Sequence, residues 1–185
     1  MSIVLDGCVQ CTSQSLGLLS IHCPRLSAIS VAKCFRMGNQ SVAALLSPEL
    51  CPVSESFNQN GHCYAGRGKH MQLRFLNLTM CHKISVLEPL ASIDTLVKLD
   101  ITGCGLVTDM QLANAVSRSG KSIQHLYINN CTNITGQGVI AVAQTCPHLE
   151  TLCMRALAVS DTDLQQLSRY LLQLKNLDLS MVGST

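Results

Sequence analysis

The sequence is short of several residue classes, and each shortage excludes a kind of protein. Its 185 residues contain no tryptophan and only 3% aromatic residues, so aliphatic side chains must fill the core. Charged residues make up 13% and the net charge is +2, which is not the strong basic excess of a nucleic-acid-binding protein. No run of 18 or more apolar residues occurs, so we expect no membrane span. The first residues also lack the basic and long apolar regions of a signal peptide.

What the chain does contain is a recurring phrase, Leu-x-x-Leu-x-Leu-x-x-Cys, with Ile or Val at some of the Leu positions. A clear copy runs from Leu73 to Cys81, and copies begin at residues 26, 73, 96, 123, 149 and 174. Except for one step of 47 residues, the copies are 23 to 27 residues apart. One such repeat cannot bury its own apolar face, so the period predicts a solenoid of stacked repeats.

Residues 123–149 show the content of one repeat most clearly. Leu126 and Ile128 alternate with polar residues, which predicts a short strand with one buried face. Thr135 is a predicted helix N-cap, and Pro147 ends that helix. The corresponding predicted caps in other repeats are Ser85, Thr108 and Ser160. The predicted fold class is therefore α/β: a horseshoe-shaped solenoid of about six to seven repeats, with an inner parallel sheet and outer helices.

We predict one continuous solenoid domain, with repeats 1–2 in residues 1–51 and repeats 3–7 in residues 71–185. Residues 52–70 form a predicted inserted loop, because the long step exceeds one repeat and this segment is rich in Gly, Asn and Ser. The loop is either a surface excursion or a partner contact through Tyr64, Arg67 and Lys69. The phrase starts and stops within a repeat, which predicts a piece of a longer protein, a truncated isoform or a partner-capped module.

Eight of the eleven cysteines follow the repeat, and Cys11, Cys63 and Cys153 do not. The ninth position of the phrase holds the predicted structural cysteines Cys8, Cys34, Cys81, Cys104 and Cys131. We interpret them as reduced packing residues, which favours the cytoplasm, with the nucleus as the alternative. Three Asn-x-Thr triplets favour an exported protein instead. The spacing of Cys8, Cys11, His22 and Cys23 imitates a zinc site, but the repeat already accounts for Cys8 and Cys23, so no metal and no cofactor is predicted.

Residues 131–149 read Cys-Thr-Asn-Ile-Thr-Gly-Gln-Gly and end in Cys-Pro-His-Leu. This motif resembles the cysteine-containing subclass of leucine-rich repeats, and the resemblance covers nearly the whole chain apart from residues 52–70. The subclass is typical of F-box/leucine-rich-repeat proteins and of the related antagonist-of-mitotic-exit family, which lacks an F-box.

The resemblance implies the substrate-recognition part of an SCF, a cullin-type ubiquitin ligase, acting in ubiquitin-dependent protein catabolism. An F-box would recruit the ligase adaptor and the cullin, whereas the repeats would hold the target. No F-box segment precedes the repeats in this sequence. An F-box-independent scaffold or inhibitor is therefore the alternative, and the ligase partners are expected only if an F-box exists upstream.

The candidate binding site comes from the strand positions that point outward, the third, fifth and seventh of each phrase. Phe75 and Tyr127 are candidate anchors, because exposed aromatic residues often dominate protein interfaces. The predicted partner-binding residues on the concave face are Phe75, Asn77, Lys98, Asp100, His125, Tyr127, Asn129 and Arg155. They would take a protein or peptide, with an ordinary solvated sheet face as the alternative.

No catalytic residue is predicted, and we expect the chain not to be an enzyme. Cysteine nucleophiles need an adjacent base and an accessible, electropositive setting. Cys153, near Arg155 and His125 on the predicted concave face, is the only thiol with such neighbours in the sequence pattern.

Overall fold

The computed structural model describes residues 1–46 and 72–182. Within these ranges the chain forms a single sheet of seven parallel strands, in sequence order from β1 to β7. The strands are β1 Ser2–Val4, β2 Ala28–Ser30, β3 Phe75–Asn77, β4 Lys98–Asp100, β5 His125–Tyr127, β6 Thr151–Cys153 and β7 Asn176–Asp178. The α/β class and the parallel sheet are confirmed, and the architecture is consistent with the predicted leucine-rich-repeat solenoid. Horseshoe curvature stays a prediction.

Five α-helices and two short 3₁₀ helices connect these strands in the described ranges. The α-helices are α1 Ser13–His22, α2 Asn39–Leu46, α3 Asp109–Val116, α4 Gly136–Thr145 and α5 Asp161–Leu167. The 3₁₀ helices are Glu88–Ser92 and Ser119–Lys121. None of the helices described is long and apolar enough to cross a membrane.

Every strand falls at the third to fifth residues of its phrase. The strands pair in that same register, so Leu76, Leu99, Leu126 and Leu152 lie side by side at the fourth position. All four are at most 1% exposed. The alternation of side chains in a strand therefore places the fourth position in the core and the third and fifth positions on the opposite face.

The helix caps predicted at Thr135 and Ser160 are confirmed, whereas Thr108 makes no side-chain cap. The Thr135 hydroxyl accepts a hydrogen bond from the backbone N–H of Gln137 at the start of α4. Ser160 and Asp163 form a full capping box at α5. Thr108 precedes α3 in extended conformation, but its side chain makes no capping bond.

The predicted cap at Ser85 is wrong. The helix there is the 3₁₀ segment Glu88–Ser92, and Leu87 occupies its N-cap position without a side-chain bond. Ser85 instead faces the preceding repeat, where the Asn39 amide donates to its hydroxyl at 3.0 Å and accepts from its backbone N–H at 2.8 Å. Pro89 lies near the start of this helix, which has five residues.

The ninth-position cysteines join neighbouring repeats. The thiol of Cys104 donates to the carbonyl of Leu78, the sixth residue of the preceding phrase, at 3.3 Å. That carbonyl also accepts the backbone N–H of Cys81 in its own repeat. The equivalent thiol bonds run from Cys34 to Leu5 at 3.1 Å, from Cys81 to Val31 at 3.2 Å and from Cys131 to Ile101 at 3.1 Å. A small side chain with one donor fits this position.

Cys8 differs from the other ninth-position cysteines, because it is exposed while Cys34, Cys81, Cys104 and Cys131 are 0% exposed. In the described ranges β1 pairs only with β2. No preceding repeat is therefore present there to cover Cys8 or to supply a carbonyl for its thiol. The expectation that Cys8 is a packed residue is wrong for this part of the chain.

The predicted loop at residues 52–70 lies outside the described residues. On either side of it, β2 and β3 pair directly and in register, with Ile29 opposite Leu76. The division of the domain into repeats 1–2, a loop and repeats 3–7 stays a prediction.

Candidate binding face of the sheet

The open face is the side of the sheet that carries the third and fifth residues of each strand. The register places Phe75, Lys98 and His125 side by side in one row across β3, β4 and β5. A second row contains Asn77, Asp100 and Tyr127. Because adjacent strands lie about 4.8 Å apart, these six side chains form one patch. Asn129 and Arg155, the other two predicted residues, follow β5 and β6 at the seventh position of their phrases.

Lys98 and Tyr127 form a cation–π pair on this patch. The Lys98 ammonium lies 4.6 Å from the centroid of the Tyr127 ring. Burial raises the pKa of the Tyr127 hydroxyl, and Cys153 and Asp100 add to the effect. The hydroxyl therefore stays protonated at neutral pH, and the ring fixes the position of the lysine charge.

Three of the predicted residues hold the backbone at the ends of the strands. The side-chain oxygens of Asn77 and Asp100 each accept the backbone N–H two residues further on, at 2.9 Å from Thr79 and 3.0 Å from Thr102. The Asn129 oxygen accepts the backbone N–H of Arg155 at 2.8 Å. These side chains thus stabilise turns, which leaves fewer of their hydrogen-bonding atoms free to bind a partner.

Phe75, His125 and Arg155 are less constrained. Phe75 is 41% exposed, and no other ring stacks on it among the residues described. Arg155 lies 3.9 Å from the Asp178 carboxylate, and both side chains are exposed. An exposed pair at this distance contributes little to stability. Its groups are therefore available to a partner.

A depression on the open face is lined by residues of β1 to β4: Ser2, Ile3, Val4, Ala28, Ile29, Ser30, Phe75, Leu76, Asn77 and Lys98. Its volume is about 190 Å³, below the roughly 300–1,000 Å³ of pockets for whole small molecules. Sequence reasoning missed this depression.

A second concavity lies at the carboxyl ends of the strands, and sequence reasoning missed it. Gly103 and Gly105 stand at the eighth and tenth positions of their phrase, where the neighbouring repeats have Met80, His82, Asn130 and Thr132. A groove of about 620 Å³ is lined by these residues, Leu106 and Asn133. Two glycines at positions that carry side chains in adjacent repeats were the available signal.

Thiol chemistry is disfavoured at every buried cysteine with a shifted pKa. Burial raises the pKa of Cys81 to about 11 and of Cys104, Cys131 and Cys146 to about 12. Burial also raises the pKa of Cys153, and the Asp178 and Asp100 carboxylates add to it. A nucleophilic cysteine needs a lowered pKa. In the described part of the chain, no three His, Cys, Asp or Glu residues are grouped so that they could hold a metal ion.

Comparison with known proteins gives a partial likeness. Over 82 residues, 44% of this chain, the sequence is 30% identical to F-box/LRR-repeat protein 12 of Arabidopsis thaliana. The match spans 20% of that protein's length. A chain in the crystal structure of the Rad7 and Elc1 complex from yeast aligns with 92% of this chain and 54% of its own length, with 14% sequence identity and a TM-score of 0.40. No family model matches the sequence.

Proposed function

We propose that this chain is a protein-interaction module that holds a protein or peptide target on the open face of its sheet. The observation that carries the proposal is the patch on β3 to β5, where an exposed Phe75 stands beside the ordered charge of Lys98 over Tyr127. Aromatic and charged groups in one patch are typical of the residues that dominate interfaces. In this proposal the open face is the concave face of a horseshoe.

The target-binding role would serve a ubiquitin ligase. The cysteine-type repeats and the 82-residue similarity to an F-box/LRR-repeat protein support this assignment. The chain would act as a substrate adaptor in the cytoplasm or nucleus, without catalytic residues of its own. The ligase adaptor and cullin would be partners only if the gene also encodes an F-box. An F-box-independent scaffold or inhibitor is the alternative, because the repeats by themselves provide only the target-binding part.

Site-specific photo-crosslinking in cells tests the protein-binding role. A photoreactive phenylalanine analogue replaces Tyr127 on the open face or, as the matched control, Tyr170, which is 39% exposed and follows α5. We expect covalent protein adducts at position 127 that are absent at position 170. Phe75→Ala should remove those adducts. Equal adducts at both positions, or none at 127, would contradict a binding role for the open face.

A second experiment separates the ligase role from the scaffold role. The protein that crosslinks at position 127 is followed after protein synthesis is blocked, with and without the gene of this chain. A ligase adaptor should shorten the lifetime of that protein, and a cullin should co-purify with the complex. A scaffold should leave its lifetime unchanged, with no cullin present.

A further inference from the structure

We propose that the turns after the strands form a second docking surface, which binds an acidic segment of a partner protein. We call this surface the turn edge: it consists of the eighth to twelfth residues of each repeat. The inference goes beyond the proposed function, because the turn edge lies at the carboxyl ends of the strands and not on the open face. Its support is the charge of the turns, an exposed aromatic pair and the groove at Gly103 and Gly105.

The turn edge carries charge of one sign only. Its charged side chains are Lys33, Arg36 and Lys83, and all three are exposed. The equivalent residues of the first six repeats, none of which is Asp or Glu, are 7–11, 33–37, 80–84, 103–107, 130–134 and 156–160. The whole chain has nearly equal numbers of both signs, 13 Lys or Arg and 11 Asp or Glu. A positive edge on such a chain favours an anionic partner.

The turns of two adjacent repeats bring these cations together. The Lys33 backbone N–H donates to the Thr79 carbonyl at 2.7 Å, and Gly38 pairs with Lys83 in a parallel bridge. Arg36 and Lys83 hold the same eleventh position in neighbouring repeats, which lie about 5 Å apart. Two like charges in adjacent turns repel each other, and a bound carboxylate would offset that repulsion.

The neighbouring groups leave these charges available. None of the three forms a salt bridge within the described ranges. Arg36 donates one N–H to the Gln10 side chain at 3.2 Å and keeps its other donors. Asp6 brings a carboxylate next to Lys33, where it accepts the Ala32 backbone N–H at 2.9 Å. With Asp6 counted, three positive charges and one negative charge still leave a local charge of +2.

An exposed aromatic pair precedes Arg36 and Lys83 in the two turns. Phe35 and His82, both at the tenth position, stack with their ring planes 3° apart and their centroids 6.0 Å apart. Phe35 is 49% exposed. The His82 Nδ1 lies 3.0 Å from the Gly103 carbonyl, which can only accept, so Nδ1 donates and the ring is held in place. Phenylalanine and arginine side by side are typical of interface cores.

The groove beside this pair suits an aliphatic side chain of the partner. His82 lines it, and Met80 and Leu106 contribute apolar surface. Leu106 is 51% exposed. The glycines of the groove lie one repeat beyond Lys83, about 5 Å along the edge, and an extended peptide advances about 3.3 Å per residue. The segment should therefore carry its aliphatic residue within about two residues of its carboxylates.

The number of cations favours a protein over a nucleic acid. Proteins that bind DNA tightly neutralise roughly 6–10 phosphates with Lys and Arg, whereas the turn edge has three such residues and the chain has a net charge of +2. An apolar groove also has no use for a phosphate backbone. The expected ligand is therefore an acidic peptide segment with an aliphatic residue.

Fluorescence polarisation with labelled peptides tests this assignment. The first probe is a fluorescein-labelled ten-residue peptide with a central Leu, two Glu on each side of it, and Gly, Ser and Thr elsewhere. The second has Lys in place of Glu, and the third has Ser in place of Leu. We expect the Glu/Leu peptide to bind about tenfold more tightly than the Lys/Leu peptide, with an affinity that falls as salt is added.

Reversing two charges is the first variant arm. Arg36→Glu combined with Lys83→Glu should lower the affinity of the Glu/Leu peptide about tenfold, the size of two exposed ion pairs. The matched control is Arg118→Glu combined with Lys121→Glu, which changes the net charge equally at exposed residues of a 3₁₀ helix and its N-cap. That control should leave the affinity unchanged.

Filling the groove is the second arm. Gly105→Leu should lower the affinity of the Glu/Leu peptide about fivefold and that of the Glu/Ser peptide much less. Ala158→Leu is the control, since Ala158 holds the same tenth position in another repeat, is exposed and does not line the groove. The charge variants keep the test valid if circular dichroism shows that Gly105→Leu does not fold.

Three results overturn the inference. The first is equal affinity for the Glu/Leu and Lys/Leu peptides, or binding of neither. The second is an equal loss in a test variant and its control. The third is a ten-nucleotide oligothymidylate that binds more tightly than the Glu/Leu peptide, because the ligand of the turn edge would then be a nucleic acid.

The two proposals fail separately. If the peptides show no preference while crosslinks at position 127 persist, the turn-edge inference is wrong and the binding role of the open face stands. If crosslinks at position 127 are absent while the peptides bind as expected, the proposed function is wrong and the turn edge stands.

Discussion

Replacing Cys104 with aspartate tests the burial of the ninth position more directly than any other change. Cys104 is 0% exposed, and its thiol donates to the Leu78 carbonyl. An aspartate of similar size places a carboxylate next to an acceptor. Burial already disfavours a negative charge at this position, and the Asp100 carboxylate adds to the effect. The variant should therefore carry a large electrostatic penalty.

The pKa of the Cys104 thiol gives the size of that penalty. Burial, with smaller effects from neighbouring groups, raises the pKa of Cys104 from 9.0 to about 12. This rise in pKa corresponds to a free-energy cost of about 4 kcal/mol for a negative charge at this site. That cost is a large share of the roughly 5 to 15 kcal/mol by which a typical domain is stable. The same cost would raise the pKa of an aspartate in the folded protein well above its value of about 3.9 in the unfolded protein.

The sign of the pH dependence is then fixed. At a pH well below about 3.9 aspartate is protonated in both states, so Cys104→Asp loses little more than its packing and its thiol bond. As the pH rises, the unfolded state ionises first and is favoured, so the variant loses stability relative to wild type until the folded pKa is reached. The difference in unfolding free energy between wild type and variant should therefore be larger at pH 7 than at pH 4.

Urea unfolding followed by circular dichroism at pH 4 and pH 7 measures this difference. Cys8→Asp is the matched control, because Cys8 has the same place in the phrase but is exposed. The control should change the unfolding free energy by about 0.5 kcal/mol or less. Equal losses in the two variants, or a Cys104→Asp loss that does not depend on pH, would refute the burial argument.

Two further changes act at the starts of the helices. Gly138→Ala should cost about 1 to 3 kcal/mol in urea unfolding, since a Cβ there would overlap the Asp109 carboxyl group that accepts the Thr135 backbone N–H. Ser160→Ala removes one half of the capping box of α5 and should cost about 1 kcal/mol at neutral pH. Hydrogen bonds from Ser160 lower the pKa of Asp163 below 3.8, so this contribution is lost as the pH falls through that lowered pKa, and the loss in the variant should shrink in acid.

Each of these changes has a control in the same chain. Gly105→Ala meets only the Thr132 hydroxyl at 3.3 Å, so it should cost less than Gly138→Ala. Thr162→Ala leaves the bonds between Ser160 and Asp163 in place. If the control and the test variant lose equal stability in either pair, the assigned contact is not the cause.

The repeated phrase predicts much of this fold because its physical cause lies within the repeat. The fourth-position leucines of β3 to β6 are buried and the strands fall at the third to fifth residues, as the alternation of Leu126 and Ile128 indicates. The caps at Thr135 and Ser160 are also local, since each hydroxyl accepts from an N–H two or three residues away.

What the sequence could not predict depends on the neighbouring repeat. Ser85 fails as a cap because Asn39, 46 residues earlier, binds it. Cys8 is exposed because no repeat covers it in the described ranges. Asn129 holds the backbone of Arg155 across 26 residues. The phrase shows which residues share a register, but it does not show which side chain in the next repeat will compete for a given donor or acceptor.

In the proposed function, folding and binding use opposite faces of the same strand, so substitutions at adjacent residues should separate the two. Leu126 is 0% exposed in the core, whereas Tyr127 lies on the open face beneath the Lys98 ammonium. Leu126→Ala should cost about 2 to 5 kcal/mol. Tyr127→Ala, even combined with Phe75→Ala, should cost far less, because an exposed cation–π pair contributes about 0.5 to 1 kcal/mol.

Partner binding should show the reverse order. Affinity for the protein that crosslinks at position 127 should fall in the Phe75→Ala and Tyr127→Ala double variant, whereas Leu126→Ala, measured at a temperature where it is folded, should keep its affinity. Urea unfolding and titration with that purified protein, on the same samples, give both quantities. A double variant that loses stability but not affinity would mean that these aromatic side chains belong to the packing of the sheet, and the open face would then have no aromatic anchor for a partner.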